Sequence, residues 1–404
     1  MRVRIEPSLA KGEIFAPPSK SMAHRLLICA ALSSGTSTVR GISDCEDVKA
    51  TIDCLHSLGV RTEKDGENVT VIGTDIFSIS PKEPLFCRES GSTLRFLIPI
   101  ALLCGKTVMF QGEKVLMQRP MSVYEELCRS NNMAYIADGE TITVKGPMSP
   151  GEITVVGNVS SQFISGLLFA LPLLQGDSRI KITPPIESRS YIDMTISALR
   201  SFGVIAEWEN EHTVYIKGNQ KYLPSDVTVE GDYSGAAFPD ALNLFGSDVN
   251  ILGLNENSIQ GDAVYKKYYE QLSSGIPAIH IGDCPDLGPI LFAISAAKCG
   301  GIFSGTRRLK IKESDRAKAM AEELAKFGAS VTVYDDKVVI YPVSFHKPTE
   351  ILYGHNDHRI VMSLSILLTL VGGEIEGSEA VNKSYPTFFE HLSSLGIGVT
   401  EYEA

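Results

Sequence analysis

The chain repeats one pattern six times, and this repetition restricts the folds open to it. Each copy begins with an apolar, helix-like run that ends at a glycine, and the six runs cover residues 19–35, 91–105, 160–176, 233–246, 286–300 and 356–372. In the first, third and fifth copies the run is followed by a short strand, an amphipathic helix and a hairpin. Most intervals are about 70 residues, longer than the usual solenoid repeats. The pattern therefore predicts an α/β (α+β) protein built from six β-α-β-α-β-β units.

Two proline-containing crossings divide the six units into two groups of three. Pro17 and Pro18 precede the first unit and Pro224 precedes the fourth, and proline favours an extended connection over a continued helix. Residues 2–6 are predicted to form a strand that completes the second group. We therefore expect an inserted domain over 19–224, and a domain formed by 1–18 plus 225–404. A chain that leaves one domain and returns makes a two-strand hinge, which suits closure over a ligand in the cleft between the domains.

Composition and charge favour a cytoplasmic enzyme that acts on small molecules. The chain has no apolar run of membrane-spanning length without polar interruption, and its first residues lack the apolar core of a signal peptide. Its eight cysteines show no metal-ligand spacing, which favours buried free thiols in a reducing cytosol. The net charge of −11 argues against nucleic acid or an anionic membrane as the main partner. We expect a monomer, because the repeats can bury one another within one chain.

The helix-like runs open with small polar residues, a pattern that has two explanations. Ser, Thr, Asn and Asp are preferred N-caps, so the pattern can reflect helix capping alone. Free amides at a helix N-terminus also form an anion site, and several such termini can share one cleft if six related units pack symmetrically. Repetition favours the second explanation. Basic residues lie at or near the same places, namely Lys20, Arg25, Arg95, Arg119, Lys312, Arg316, Arg359 and Lys383.

Four motifs, in order along the chain, resemble those of the 5-enolpyruvylshikimate-3-phosphate synthase family. They are PSKSMAHR at 18–25, GNVSSQ at 157–162, KESDR at 312–316 and NDHR at 356–359. The similarity runs the full length and includes Arg119-Pro120 and the KSYP segment at 383–386. The resemblance implies a two-domain inverted α/β barrel-like fold, with three repeats per domain, that closes on its substrates at the hinge.

The resemblance also implies a reaction. Enzymes of this family transfer the enolpyruvyl group of phosphoenolpyruvate to the 5-hydroxyl of shikimate 3-phosphate and release phosphate. The reaction is an addition–elimination through a tetrahedral intermediate, in the shikimate pathway to chorismate and aromatic amino acids. It needs no metal and no organic cofactor.

Two sets of substrate-binding residues follow from the resemblance. Those for shikimate 3-phosphate are Lys20, Ser21, Arg25, Ser160, Ser161, Gln162, Ser188, Tyr191, Asp286 and Lys312. Those for phosphoenolpyruvate are Lys20, Gly91, Arg119, Gln162, Arg316, Arg359 and Lys383. Both substrates carry a phosphate and a carboxylate, so holding them together requires a cationic cleft inside an acidic protein. Tyr191 either packs against the shikimate ring or is a core aromatic at a helix start.

The reaction needs a proton removed from the hydroxyl and a proton delivered to the enol methylene. By resemblance Asp286 is the base, although an aspartate before an apolar helix can also be its N-cap. Glu313 and Lys20 are both candidates for delivering the proton and for relaying it back. For His358, within the NDHR motif, a structural hydrogen bond is the simpler role.

Glu89 departs from the family, which most often has asparagine there. A carboxylate close to phosphoenolpyruvate would repel it unless a cation such as Arg88 or Arg119 compensates. Glu89 in place of asparagine is therefore expected to affect the affinity for phosphoenolpyruvate and the sensitivity to the inhibitor glyphosate. Arg308 stands near where some members place an asparagine by shikimate 3-phosphate, and it is left out of the predicted site.

Three alternative functions use related features. The sister enzyme that acts on UDP-N-acetylglucosamine typically has a catalytic cysteine five residues before the arginine that matches Arg119, and here that residue is Lys114. A nucleic-acid-end-modifying protein would need a basic surface and a nucleotide site, and neither the net charge nor a P-loop motif supports one. A non-catalytic binder of phosphorylated metabolites would need the cations without Asp286 and Glu313. Phosphate release from the two substrates would separate it from an enzyme.

Overall fold

The computed structural model describes residues 1–341 and 345–403. Its α-helices are α1 (Lys20–Leu32), α2 (Glu46–Ser57), α3 (Gly91–Ala101), α4 (Lys114–Met117), α5 (Ser122–Ser130), α6 (Ser161–Ala170), α7 (Arg189–Ser201), α8 (Tyr233–Asp240), α9 (Tyr265–Ser274), α10 (Gly288–Ala297), α11 (Arg316–Ala325), α12 (His358–Val371) and α13 (Phe388–Ser394). Short 3-10 helices cover Leu171–Leu173, Ala241–Phe245, Gly261–Val264, Pro285–Leu287, Arg307–Ile311 and Ser378–Lys383. Each predicted apolar run contains one helix, in the order α1, α3, α6, α8, α10 and α12.

The strands are β1 (Arg2–Ile5), β2 (Lys11–Phe15), β3 (Thr36–Arg40), β4 (Arg61–Asp65), β5 (Asn68–Ile72), β6 (Leu85–Phe86), β7 (Thr107–Gln111), β8 (Ala134–Ala137), β9 (Thr141–Lys145), β10 (Glu152–Val156), β11 (Ser178–Thr183), β12 (Ala206–Asn210), β13 (Thr213–Ile216), β14 (Val227–Thr228), β15 (Asp248–Leu252), β16 (Ala278–His280), β17 (Gly301–Ser304), β18 (Ser330–Val333), β19 (Lys337–Tyr341), β20 (Leu352–Tyr353), β21 (Gly373–Glu376) and β22 (Val399–Tyr402). The chain divides into two compact units, Lys20–Glu230, and Met1–Ser19 with Gly231–Ala404.

The unit Lys20–Glu230 contains sheets of one repeating design. Their strand orders are β14-β3-β5-β4, β6-β7-β9-β8 and β10-β11-β13-β12. In each sheet a parallel pair is followed by two antiparallel pairings, as when β10 runs parallel to β11 while β11 and β12 both pair antiparallel with β13. In the second and third sheets a helix crosses between the parallel strands, whereas β14 pairs with β3 from the far end of the unit. In all three sheets a helix precedes the hairpin, as in the predicted β-α-β-α-β-β order.

The other unit repeats this design with one shortened copy. Its sheets have the strand orders β16-β17-β19-β18, β20-β21-β1-β22 and β15-β2. The N-terminal strand β1 lies between β21 and β22, with Val3 opposite Ile375 and Glu401, so residues 2–6 complete this sheet as the sequence predicted. Strand β15 pairs with β2, and in the described part of the chain no hairpin follows it before β16.

Each unit has its own hydrophobic core around its apolar helices. Almost every residue of α1, α3 and α6 is buried in one unit, and the same holds for α10 and α12 in the other. A helix that is apolar on all sides must be buried on all sides. The polar and charged residues at the N-termini of these helices consequently need polar partners, and they form hydrogen bonds and ion pairs with one another.

Side-chain N-caps begin several helices at the predicted positions. Ser90 accepts from the Thr93 amide at 3.2 Å, Ser160 from the Gln162 amide at 3.3 Å and Asp357 from the Arg359 amide at 3.0 Å.

Asp286 does not cap the apolar helix that follows it. It lies inside the 3-10 helix Pro285–Leu287, and Leu287 holds the N-cap position of α10. The interpretation of Asp286 as the N-cap of this helix is therefore wrong, because the 3-10 turn inserts one residue between it and the helix.

Two further expectations concern the cysteines and the membrane. The eight cysteines are free, and six of them are buried, in agreement with the composition. Within residues 1–341 and 345–403, no helix combines the length and the apolar character needed to cross a bilayer. Over the same residues, no group of three or more His, Cys, Asp or Glu side chains is placed to hold a metal ion.

Candidate active site

Three basic side chains surround the carboxylate of Asp286 in the unit that contains both termini. Arg316 Nη1 lies 2.8 Å and Lys312 Nζ 3.2 Å from Oδ1, and Arg359 Nη2 lies 2.9 Å from Oδ2. Lys312 directly follows the 3-10 helix Arg307–Ile311, Arg316 begins α11 and Arg359 is the second residue of α12. Lys312 and Arg316 of the KESDR motif and Arg359 of the NDHR motif therefore meet at a fourth predicted site residue, Asp286.

Arg316 is the centre of this cluster, because its guanidinium contacts three carboxylates. Nε lies 2.8 Å from Asp357, Nη1 2.8 Å from Asp286 and Nη2 2.7 Å from Glu313, while the side chain is only 1% exposed. Burial by itself lowers the pKa of Arg316, but Asp357, Glu313 and Asp286 outweigh burial and raise that pKa above its ordinary value. The charge is thus buried, paired and fixed in orientation.

Lys312 differs from Arg316 in being incompletely compensated. Burial is the main cause that lowers the pKa of Lys312 to about 8; Asp286 opposes the shift, and Arg316 and Arg308 add to it. The side chain keeps 25% exposure, so a substrate can reach the ammonium. An anion bound there would favour the charged form of Lys312.

The turn that leads into α12 holds further residues of the predicted site. Lys383 Nζ donates to the backbone carbonyl of Asn356 at 2.6 Å, and Ser314 Oγ donates to Asp357 at 3.0 Å. His358 is buried at the start of α12. Its role as a structural hydrogen-bonding residue, the simpler interpretation of the sequence, stays a prediction.

In the unit Lys20–Glu230, Lys20 pairs with a carboxylate that the motif analysis did not assign. Lys20 Nζ lies 2.7 Å from Asp47 Oδ2, and both side chains are largely buried. Lys20 begins α1, and Asp47 is the second residue of α2. In the sequence Asp47 is one of two acids at the start of α2, which helix-dipole complementation alone explains, so no local signal marked it.

Arg25 is buried among neutral hydrogen-bond acceptors. Nε donates to Thr195 Oγ1 at 2.8 Å, Nη1 to the Ser21 carbonyl at 2.7 Å, and Nη2 to the Tyr191 carbonyl at 3.0 Å and to Ser165 Oγ at 3.3 Å. Within the described residues no carboxylate lies within 4.0 Å of its guanidinium. Burial accordingly lowers the pKa of Arg25 to about 10.

Tyr191 lies beside this arginine at the start of α7. The Arg25 guanidinium lies 5.9 Å from the centre of the Tyr191 ring, which is half-buried and packs against the core of the unit. The Tyr191 ring is therefore packed against the core and still partly exposed. Ser188, just before α7, is buried and has a left-handed backbone with φ of 57°.

The N-termini of α3 and α6 bring Gly91, Arg119 and Gln162 together. A Cβ added at Gly91 would lie 2.9 Å from Arg119 Nη1, so Arg119 would have to shift, and 3.6 Å from Gln162 Oε1, an ordinary contact distance. Gln162 Nε2 donates to Ser92 Oγ at 3.0 Å. Ser160 caps α6 and Ser161 is its buried first residue.

Arg95, one of the basic residues near the start of an apolar run, fixes this group. Its Nη1 donates to Gln162 Oε1 at 2.7 Å and its Nη2 donates to the Pro120 carbonyl at 3.2 Å. Arg95 therefore joins the start of α6 to the residue after Arg119. The signal that could have indicated this is the position of a charged residue inside the apolar helix α3.

Arg88 was one of two cations expected to compensate Glu89. Instead Arg88 pairs with Glu46, and its Nη2 lies 2.7 Å from Asp53 Oδ2. Its charge is therefore already shared between two carboxylates of α2.

The family of EPSP synthase (3-phosphoshikimate 1-carboxyvinyltransferase) matches residues 6–392 of the chain. The chain belongs to this family. The matched range contains all four motifs and the groups of residues described above. Membership of the EPSP synthase family therefore confirms the resemblance found from the motifs.

Individual relatives agree over their full lengths. The chain is 38% identical over 421 residues to the 3-phosphoshikimate 1-carboxyvinyltransferase of Clostridium kluyveri, covering 99% of this chain and 98% of the relative. It is 41% identical over 419 residues to that of Clostridium perfringens, covering 98% of each.

Solved structures of lower identity show the fold. An EPSP synthase from Acinetobacter baumannii superposes with a TM-score of 0.80 at 24% identity, covering 99% of this chain and 100% of that one. The enolpyruvyl transferase NikO from Streptomyces tendae gives 0.75 at 14% identity, covering 99% and 98%. These likenesses confirm the predicted fold class.

Proposed function

We propose that the protein is a 3-phosphoshikimate 1-carboxyvinyltransferase. It transfers the enolpyruvyl group of phosphoenolpyruvate to the 5-hydroxyl of shikimate 3-phosphate, giving 5-enolpyruvylshikimate 3-phosphate and phosphate. The observation that carries the proposal is the cluster around Asp286, where one carboxylate is held by three cations and lies beside a second carboxylate, Glu313, in a chain that belongs to the EPSP synthase family. Such a group can bind anions and exchange protons in one place.

The anionic groups of the two substrates account for the basic residues. Arginine binds phosphate and carboxylate through a planar fork, and lysine supplies a compact charge. For phosphoenolpyruvate the proposed binding residues are Lys20, Gly91, Arg119, Gln162, Arg316, Arg359 and Lys383. For shikimate 3-phosphate they are Lys20, Ser21, Arg25, Ser160, Ser161, Gln162, Ser188, Tyr191, Asp286 and Lys312.

The addition step forms a bond between the 5-hydroxyl oxygen and C2 of phosphoenolpyruvate while C3 gains a proton. Asp286 accepts the hydroxyl proton, and Glu313 or Lys20 delivers the proton to C3. The elimination step removes a proton from the new methyl group and breaks the bond between C2 and the phosphate oxygen. A positioned acid or base contributes about 10²–10⁴ to such a rate, and alignment of the two bound anions contributes comparably.

Further parts of the proposal concern assembly and surroundings. The domains 1–18 plus 225–404 and 19–224 each supply residues for the same two substrates. The enzyme acts as a monomer in the cytoplasm, uses neither a metal nor an organic cofactor, and binds neither nucleic acid nor a membrane.

Phosphate release tests the proposal directly. The purified protein should release phosphate from phosphoenolpyruvate only when shikimate 3-phosphate is present, and the organic product should carry the mass of the enolpyruvyl ether. The controls omit one substrate at a time. Tight binding of both substrates with no phosphate release would instead identify a non-catalytic binder.

A further inference from the structure

A buried carboxylate outside the proposed site, Glu323, gathers four hydrogen bonds. It lies on α11, the helix that Arg316 begins, and its side chain is only 3% exposed. Lys326 Nζ lies 2.8 Å from Oε2 and 3.0 Å from Oε1, the Tyr353 amide lies 2.9 Å from Oε2, and His355 Nε2 lies 3.0 Å from Oε1. Both carboxylate oxygens therefore accept two donors each.

The partners of Glu323 lie in and around a strained turn. His355 and Asn356 have φ of 50° and 52°, so two successive residues with side chains adopt the left-handed conformation. Such backbone persists only where the surrounding structure holds it. Glu323 binds one residue of the turn through the His355 side chain and the strand before it through the Tyr353 amide.

Three of the cations proposed to bind phosphoenolpyruvate, Lys383, Arg316 and Arg359, contact this turn or the residue after it. The Asn356 carbonyl accepts from Lys383 Nζ at 2.6 Å. Asp357 pairs with Arg316 Nε at 2.8 Å and accepts from the Arg359 backbone amide at 3.0 Å. A shift of the turn would therefore move the acceptors that orient Lys383 and Arg316 and the start of the helix that carries Arg359.

We propose that Glu323 is a positioning residue for phosphoenolpyruvate: by holding the His355-Asn356 turn, it orients Lys383, Arg316 and Arg359. The inference rests on the proposed function, because it takes these three residues as ligands of that substrate. Glu323 acts through the turn and takes no part in the chemistry.

The test is Glu323→Gln, which keeps the shape of the side chain but replaces one acceptor oxygen with an amide group that donates. At least one of the donors then faces another donor, and the turn loses part of its support. We expect the KM for phosphoenolpyruvate to rise about tenfold, while the KM for shikimate 3-phosphate and kcat change by less than about threefold.

The matched control is Glu322→Gln. Glu322 is the preceding residue on the same helix, is 52% exposed, and lies 3.9 Å from Lys318. This substitution removes the same charge without touching the turn, so both KM values should stay at their wild-type levels.

A second variant keeps the inference testable if Glu323→Gln fails to fold. His355→Gly permits the positive φ without strain and removes the hydrogen bond to Glu323. It should also raise the KM for phosphoenolpyruvate selectively. An unchanged KM in this variant would overturn the inference, because backbone conformation alone would then suffice.

The outcomes separate the two proposals. A wild-type protein that binds both substrates without releasing phosphate refutes the proposed function. An active wild type with a normal phosphoenolpyruvate KM in Glu323→Gln refutes the positioning role. Equal rises of both KM values together with a lower Tm also refute it, since Glu323 would then support only the general stability of the unit.

Discussion

Binding of shikimate 3-phosphate should draw a proton from solution at alkaline pH, because Lys312 is partly neutral in the free protein. Burial, the largest cause, lowers its pKa from 10.5 to about 8 even though Asp286 lies beside it. An anionic substrate at Lys312 favours the ammonium form, so its pKa in the complex should return toward 10.5. Lys312 should therefore take up a proton from the solvent when the substrate binds.

The size of the effect follows from the pKa of about 8. Lys312 is neutral in about 0.1 of the molecules at pH 7, about 0.5 at pH 8 and about 0.9 at pH 9, and these fractions are the protons taken up per substrate bound. The apparent Kd should rise about twofold at pH 8 and about tenfold at pH 9 relative to low pH. Because the second pKa of a phosphate monoester is about 6, the substrate itself contributes little in this range.

A rise in pH should change the stability of the free protein and its affinity for the substrate in opposite directions. Between about pH 8 and 10.5 the unfolded chain binds the Lys312 proton while the free folded protein does not. Stability of the free protein should therefore rise with pH across this window, while affinity for the substrate falls.

Isothermal calorimetry in pairs of buffers with different ionisation enthalpies measures the proton uptake at pH 7, 8 and 9. Lys312→Arg is the control, since arginine stays charged throughout this range and should bind with no uptake. Uptake below about 0.1 at pH 8 in the wild type, or an equal uptake in Lys312→Arg, would refute the assignment of the proton to Lys312.

Three other substitutions separate binding from chemistry. Asp286→Asn should still bind shikimate 3-phosphate by calorimetry, because asparagine keeps the size of the side chain, while phosphate release falls by about 10² or more; near-normal turnover would make Glu313 the leading base. Lys383→Ala should raise the KM for phosphoenolpyruvate about tenfold or more and leave that for shikimate 3-phosphate nearly unchanged, and equal rises would contradict its assignment. Gly91→Ala should raise the phosphoenolpyruvate KM without lowering Tm, because the new Cβ would lie 2.9 Å from Nη1, the terminal atom of a long side chain, Arg119; a large fall in Tm would show that this side chain does not adjust.

The order of helices and strands could be predicted because it depends on local patterns. The strand β1 and the hairpins after α2, α7 and α11 lie where the alternation of apolar and polar residues predicted them. The short sheet formed by β15 and β2 was not predicted. Its strands are more than 200 residues apart along the chain, and local periodicity carries no information about such pairing.

The members of the site were predictable where they belong to motifs, whereas their partners were not. Lys312, Arg316 and Arg359 occupy motif positions, and the structure brings them within 3.2 Å of the Asp286 carboxylate. The partners Asp47 and Glu323 lie in ordinary helix positions, where charged residues are common for other reasons, whereas the buried position of Arg95 in an apolar helix was a signal that did not identify its partners. Their function depends on tertiary contacts, which a single sequence does not contain.

Two buried arginines differ in the charge of the groups that they contact. Arg316 contacts three carboxylates, so its charge is balanced and it holds Asp286 and Glu313 in position. Arg25 contacts neutral oxygens, and within the described residues its charge has no carboxylate to balance it. The pKa of the first is raised, and burial lowers the pKa of the second. A bound anion would therefore stabilise Arg25 more than Arg316, because it would supply the counter-charge that the folded protein itself does not provide.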